Sequence, residues 1–277
     1  MWKTMKALRN TTRARIVLVV TLLAVLAGVP SLRGDDLRSI VVLREDDLRR
    51  TWRNAYPEFG GVSAFTYCMN NQIPITWGAV TSVADGNGSE GLTWEELRQY
   101  IDAAGGEVAS HSVNHREMSS VEEYINEITA SRAAVEAAMG PGYVCRAFLQ
   151  PGGWTDDANM TTLAKLNNPI GQAIQSTYDY SMAYLGGVWR TGSTPYRYGL
   201  TNRYSIDYSS SLTVDGVNRM LDITADCPGT VLVVSCHGVQ ATGGTKAYEI
   251  PANVLKAFVE KVVALRAANK IRLMGLS

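Results

Sequence analysis

Short apolar runs alternate with longer amphipathic stretches from Ser39 to Leu276, and this alternation constrains the fold more than any other feature of the chain. It predicts parallel strands joined by crossover helices. Ser39–Leu43, Val62–Cys68, Glu107–Ser110, Val144–Leu149, Gln172–Tyr178, Tyr198–Asp207, Val231–Cys236 and Ile271–Leu276 read as strands. Helices are predicted over Thr93–Ala104 and Val121–Met139, where Thr93 with Glu96 and Ser120 with Glu123 have capping-box spacing. Others are predicted from about Asp156 to Leu166, over Thr213–Ala225, and over Pro251–Asn269 with proline in its first turn. About eight strands in a chain of this length predict one α/β domain. The expected form is an irregular (β/α) barrel with its site at the C-terminal ends of the strands. The glycine-bearing stretch Asn70–Glu90 reads as a functional loop.

With 46% hydrophobic and 19% charged residues, the chain is neither disordered nor a coiled coil. Twenty-six basic residues balance twenty-six acidic ones, so there is no global signal for nucleic acid. The balance is uneven. Lys3, Lys6, Arg9, Arg13 and Arg15 stand ahead of the uncharged run Ile16–Val29, with no acid among them. That is the form of a secretory signal, and the run is shorter than the ~20 apolar residues that cross a bilayer. The expected division is therefore residues 1–34, a signal peptide or N-terminal membrane anchor, and residues 35–277, a catalytic domain. The expected location is outside the cytoplasm: secreted, in the cell envelope, or held at a membrane through residues 16–29. In an oxidising compartment Cys68, Cys145, Cys227 and Cys236 admit three disulfide pairings, with buried free thiols as the alternative. Asn87 and Asn159 begin N-x-S/T sequons, which matter only in a host that glycosylates.

The three histidines, His111, His115 and His237, each lie just after a predicted strand, where a barrel forms its active site. His111 and His115 bracket the segment HSVNH. If that segment curls into a helical turn, positions i and i+4 share a face and can bind one divalent metal. Asp46 and Asp47 close the first strand. Adjacent acids can cap a helix, but they can also divide labour, one binding metal and the other serving as base. With the two histidines they supply a two-histidine, one-carboxylate site that keeps a coordination position open.

On these residues the chain resembles the polysaccharide deacetylases of the NodB-homology type, carbohydrate esterase family 4. The resemblance spans residues 38–277 and rests on four motifs in order. They are Asp46-Asp47, then His111-Ser112-Val113-Asn114-His115, then Phe148-Leu149-Gln150-Pro151-Gly152-Gly153, then Val234-Ser235-Cys236-His237. The resemblance implies a barrel of the NodB type and a hydrolase that removes N- or O-acetyl groups from a glycan. Asp47, His111 and His115 would hold one divalent ion, zinc in the first place, with cobalt or nickel as alternatives. Asp46 would be the general base, a backbone N–H near Gly152 would bind the oxyanion, and His237 would protonate the leaving group.

The chain also departs from the family. Leu48-Arg49 follows the acid pair where the family carries Gly-Pro, so the turn must differ. Glu45 is a rival base that strand alternation turns away from Asp46. Leu149 occupies the place of an arginine that orients the base. Arg146 is a candidate substitute or else part of a strand-edge ion pair. Asp207 either tunes His237 through a hydrogen bond or forms a turn. Trp77, Trp154 and Trp189 are read in loops at the barrel mouth, with Trp154 best placed to stack on a sugar. Two other readings follow from the departures: a catalytically degenerate family member that binds glycans, and a metal-dependent amidohydrolase acting on a small non-sugar amide.

Overall fold

In the computed structural model the β-branched run Ser39–Asp46 forms strand β1, buried along nearly its whole length. The structure describes residues 38–84, 91–152, 154, 168–182, 188–191, 196–197 and 200–277. The expected N-terminal segment 1–34, the helix predicted from Asp156 to Leu166, Gly153, and both sequon asparagines lie outside the described residues. One side of β1 pairs in parallel with β9 (Thr230–Cys236). The other side pairs with β12 (Ile271–Leu273) along its first half and with β2 (Ile75–Ala79) along its second. The sheet continues in parallel through β3 (Gly106–Ser110), β4 (Ala147–Leu149) and β5 (Tyr180–Met182). It then turns antiparallel through β6 (Val188–Arg190) and β7 (Tyr196–Arg197), while β8 (Leu200–Ser205) lies beyond β9.

The sheet curls into a half-barrel, and the two faces of its strands build separate cores. Val42, Ala109, Ala147, Leu149, Val231 and Val233 pack together on the inside. Their neighbours Leu43, Trp77, Val108, Phe148, Leu232 and Val234 belong to a larger cluster that also takes in the helices. Those helices are α1 (Ala64–Asn70), α2 (Trp94–Ala104), α3 (Val121–Met139), α4 (Pro169–Thr177), α5 (Val214–Ala225) and α6 (Ala252–Ala267). A short parallel pair, β10 (Gly238–Gln240) and β11 (Glu249–Pro251), follows β9. The expected single-domain (β/α) architecture is therefore the one found.

Local structure differs from expectation in several places. Val62–Cys68 is not a strand: the Ser63 hydroxyl accepts from the Thr66 N–H at 3.0 Å and starts α1, which buries Ala64 and Cys68 one turn apart. Gln172–Tyr178 likewise belongs to α4, started by the Asn168 side chain with Pro169 behind it. The supposed loop Asn70–Glu90 contains β2, which inserts between β1 and β3. The capping box of α2 is complete. At α3, Ser120 caps as expected, but Glu123 reaches back to the N–H of Ser119. All four cysteines are free, and only Cys227 is exposed.

Candidate active site

The site forms where β1 leaves the sheet. Alternation sends Arg44 and Asp46 to one face and Glu45 to the other. Arg44 and Asp46 are both completely buried and meet in a two-pronged ion pair, Nε to Oδ1 at 2.6 Å and Nη2 to Oδ2 at 2.8 Å. Arginine stays protonated in proteins, so its burial demands an ionised partner. Burial alone would raise the Asp46 carboxyl, but Arg44, His111 and His237 outweigh it and hold it below the ordinary range. Opposite Asp46 on β2 stands Gly78, where a Cβ would come within 2.9 Å of the Glu45 carbonyl oxygen and 3.2 Å of Asp46 Oδ1.

The turn after the strand is made without glycine. Asp47 and Leu48 both adopt left-handed backbone, with φ of 79° and 55°. Such a conformation costs roughly 1–2 kcal/mol per residue. The Glu45 carboxylate holds it in place by accepting from the N–H of Leu48 at 3.0 Å and of Arg49 at 2.9 Å. Glu45 is thus a turn staple and not a base. Burial and the nearby Asp47 and Asp46 push it well above the ordinary carboxylate range. Asp47 caps no helix: the 3₁₀ turn Arg50–Arg53 starts at Arg49 without a side-chain cap.

Asp47 points instead at the histidines. Its Oδ1 lies 3.5 Å from His111 Nε2 and 3.3 Å from His115 Nε2, and it is buried without a hydrogen-bond partner. The other oxygen accepts from Arg49 Nη2 at 2.7 Å. One ligand atom from each of Asp47, His111 and His115 falls within 4.8 Å of the others. Ligands at ~2.0–2.1 Å from a tetrahedral ion sit roughly 3.3 Å apart, close to the two Asp–His spacings here. The donors fit as well. His111 Nδ1 faces the Leu149 carbonyl oxygen at 2.8 Å; a carbonyl only accepts, so Nδ1 carries the proton and Nε2 keeps its lone pair. Burial and the neighbouring His111 lower the basicity of His115, which favours the neutral form that binds metals. Two nitrogens and one oxygen suit zinc and its neighbours.

The segment HSVNH is a loop and not the expected helical turn. Ser112 and His115 take left-handed φ of 67° and 50°, and the Ser112 hydroxyl accepts from the His115 N–H at 3.0 Å. A residue missed at the sequence level holds this loop. Glu127 of α3 accepts from the N–H groups of Val113 at 2.8 Å and Asn114 at 2.9 Å, and from the Asn114 amide at 2.6 Å. The signal was present: Glu127 interrupts the buried stripe Tyr124, Ile128, Ser131 and Val135.

His237 follows β9 directly, and Asp207 follows β8. Asp207 Oδ2 lies 2.8 Å from His237 Nδ1, and its Oδ1 accepts from the His237 N–H at 3.0 Å. Burial opposes protonation of this ring, but the bond to Asp207 and the charges of Asp46, Asp207 and Asp47 prevail and raise its pKa above the ordinary histidine value.

Of the two expectations for Arg146, the strand-edge ion pair is the one found: it lies on the surface, 3.6 Å from Asp179, while Arg44 engages Asp46 from two residues away on the same strand. Trp154 is only 5% exposed. Its indole donates to the Arg116 carbonyl oxygen and its ring packs on Tyr124 and Phe148, so no face is left for a sugar. Trp77 lies on β2, wholly buried against Trp52 and Tyr100, and Trp189 lies on β6; neither is in a loop. Gly152 sits half-buried in the turn after Pro151.

No protein-family model matches the sequence, and no curated protein matches it. Solved structures similar to the chain include deacetylases and a pseudoenzyme of carbohydrate esterase family 4. One is the Xyl-CE4 domain of a multidomain xylanase from the hindgut metagenome of Trinervitermes trinervoides, at 14% identity, 86% coverage of both chains and a TM-score of 0.47. Another is a Streptococcus pyogenes deacetylase in complex with acetate, at 16% identity, covering 54% of this chain and 57% of the other, with a TM-score of 0.41. A third is a variant of a CE4-family pseudoenzyme with restored enzymatic activity, at 13% identity, 86% and 66% coverage and a TM-score of 0.49.

Proposed function

We propose that this chain is a divergent member of the NodB-type polysaccharide deacetylases, a metal-dependent hydrolase that removes acetyl groups from a glycan outside the cytoplasm. The observation that carries the reading is the convergence of Asp47, His111 and His115 beyond the C-terminal ends of β1 and β3, beside the Arg44–Asp46 pair and the Asp207–His237 pair. Asp47, His111 and His115 would hold a divalent ion, and the chemistry it would supply is that of a Lewis acid, making water more acidic and polarising a carbonyl. The chain's own residues do the rest. Asp46, kept ionised by Arg44, accepts the proton of the attacking water. A backbone N–H near Gly152 stabilises the oxyanion. His237, kept protonated by Asp207, donates to the departing sugar nitrogen or oxygen, which yields acetate and a free amine or hydroxyl. Export through residues 1–34 gives the enzyme access to polymeric substrates.

Acetate release by the full chain from N- and O-acetylated glycans, with and without chelator, tests the proposal. The expected result is release that chelator abolishes and added zinc or cobalt restores, and that Asp46→Asn lacks. Glycan binding without turnover across chitin-like, peptidoglycan, xylan and exopolysaccharide substrates would contradict it.

A further inference from the structure

We propose that Tyr248 is the residue on which this site stacks the pyranose ring of its substrate, an assignment that rests on the deacetylase reading above. The atom that His237 protonates belongs to the sugar, so the sugar ring lies on the His237 side of the cleft and the acetyl group on the Asp47 side. Two of the tryptophans offered by the sequence, Trp77 and Trp154, do not serve there, since they are buried with their rings already packed. Tyr248 does: its ring centroid is 5.7 Å from that of His237, at an interplanar angle of 63°, and the residue is 60% exposed. An aromatic face of this kind matches the C–H face of a pyranose, while hydroxyls remain free to bond elsewhere.

The platform is rigid. Tyr248 immediately precedes β11, and its carbonyl accepts from the N–H of Gly238 at 3.3 Å, one residue after His237. The buried Gln240 closes the loop between β10 and β11. Its amide donates to the carbonyls of Lys246 at 3.0 Å and Glu249 at 2.7 Å, and its oxygen accepts from the Lys246 N–H at 2.9 Å. From below, the Trp52 indole donates to the His237 carbonyl at 2.7 Å, the Thr51 hydroxyl accepts from the Val239 N–H at 2.9 Å, and Tyr56 donates to the Val239 carbonyl at 2.6 Å. Gly238 is obligatory in this frame, because a Cβ there would meet Thr51 Oγ1 at 2.3 Å. The strand that delivers His237 therefore delivers Tyr248 with it, and a rigid aromatic binds at little entropic cost.

Calorimetric titration of the full chain and of Tyr248→Ala, Tyr248→Phe and Tyr248→Trp with an N-acetylated chito-oligosaccharide and an O-acetylated xylo-oligosaccharide tests the assignment. A parallel rate measurement with ethyl acetate, which has no ring to stack, reports on the reacting groups alone. Tyr248→Ala weakens oligosaccharide binding about tenfold, a larger change than that in its ethyl acetate rate, and Tyr248→Phe and Tyr248→Trp bind close to wild type. A wild-type chain that binds neither oligosaccharide, or a Tyr248→Ala chain that binds as tightly as wild type, overturns it. Tyr248-dependent binding without acetate release upholds this assignment and contradicts the deacetylase reading alone.

Discussion

Strand β3 starts and finishes next to ionisable side chains, and the molecule treats its two ends differently. At the start, the Glu107 carboxylate is saturated. It accepts from the Thr76 hydroxyl at 3.0 Å, from the N–H of Ser277 at 3.1 Å, and from the Leu276 N–H and the Ser277 hydroxyl. At the far end, His111 uses one nitrogen on the Leu149 carbonyl and turns the other towards Asp47 Oδ1, which has no hydrogen-bond partner. A buried polar group left unpaired costs ~1–3 kcal/mol, so folded proteins rarely keep one without a use. Among the described residues, four of the seven non-glycine residues with left-handed backbone, Asp47, Leu48, Ser112 and His115, belong to the two turns of the candidate site, while Gln72, Ser211 and Asn269 lie elsewhere. Polar groups at one end of the strand are spent on structure, while Asp47 Oδ1 at the other is left unpaired, as the proposed metal site requires.

The sharpest test of that contrast is Asp46→Asn, which should cut acetate release by about 10²–10⁴-fold while zinc binding persists. Next comes Arg44→Met. Removing one partner of a buried ion pair costs ~3–5 kcal/mol, so chemical denaturation should show a large loss of stability. The Arg44→Met/Asp46→Asn double variant should recover part of that stability and none of the activity, because it removes both charges together. Equal stability in the single and double variants would break the pairing argument.

Glu127→Gln probes the histidine loop from outside it. Zinc affinity should fall about 10–100-fold with the helical circular dichroism unchanged. At the other end of β3, Glu107→Gln should lower stability by about 1–3 kcal/mol and leave kcat/KM near wild type. If Glu107→Gln abolished activity while Glu127→Gln did not, the two ends would have exchanged roles.

The smallest effect concerns pH. In the metal-free protein the His237 pKa is raised, chiefly by its bond to Asp207 against the opposing pull of burial. A raised pKa stabilises the fold fully below the unfolded value of ~6.5, and that contribution is lost as pH rises through the folded value. Asp207→Asn should therefore cost more stability at pH 6 than at pH 9, measured by denaturant unfolding at both. An equal cost at the two would remove the electrostatic account of this pair.

The residues of the candidate site were legible in the sequence because they sit at strand ends, and the periodicity that predicts a strand also predicts its end. Asp46, Asp47, His111 and His237 follow from that rule, and Asp207 from its proximity to a predicted strand end. What supports them was harder to read. Arg44 looks like an ordinary residue near a strand end, and nothing in a linear pattern says that it folds forward onto Asp46 two positions later. Glu127 was visible only as a break in a helical stripe. Glu45 replaces a glycine turn by hydrogen bonds that no spacing rule anticipates. The strand β2 escaped because the glycines of Asn70–Glu90 read as loop, although a Cβ at Gly78 would crowd the Glu45 carbonyl, Leu149 and Asp46. The segments that became α1 and α4 are short, and their caps decided what their composition did not.

Titration of the metal-stripped full chain with zinc, alongside Asp47→Ala and His115→Ala, tests the central claim most directly. The account predicts one zinc per wild-type chain, with affinity falling by at least about 100-fold in each variant while the unfolding transition of the stripped protein stays cooperative. Wild-type protein that takes up no zinc, or variants that bind it as tightly as wild type, would contradict the account.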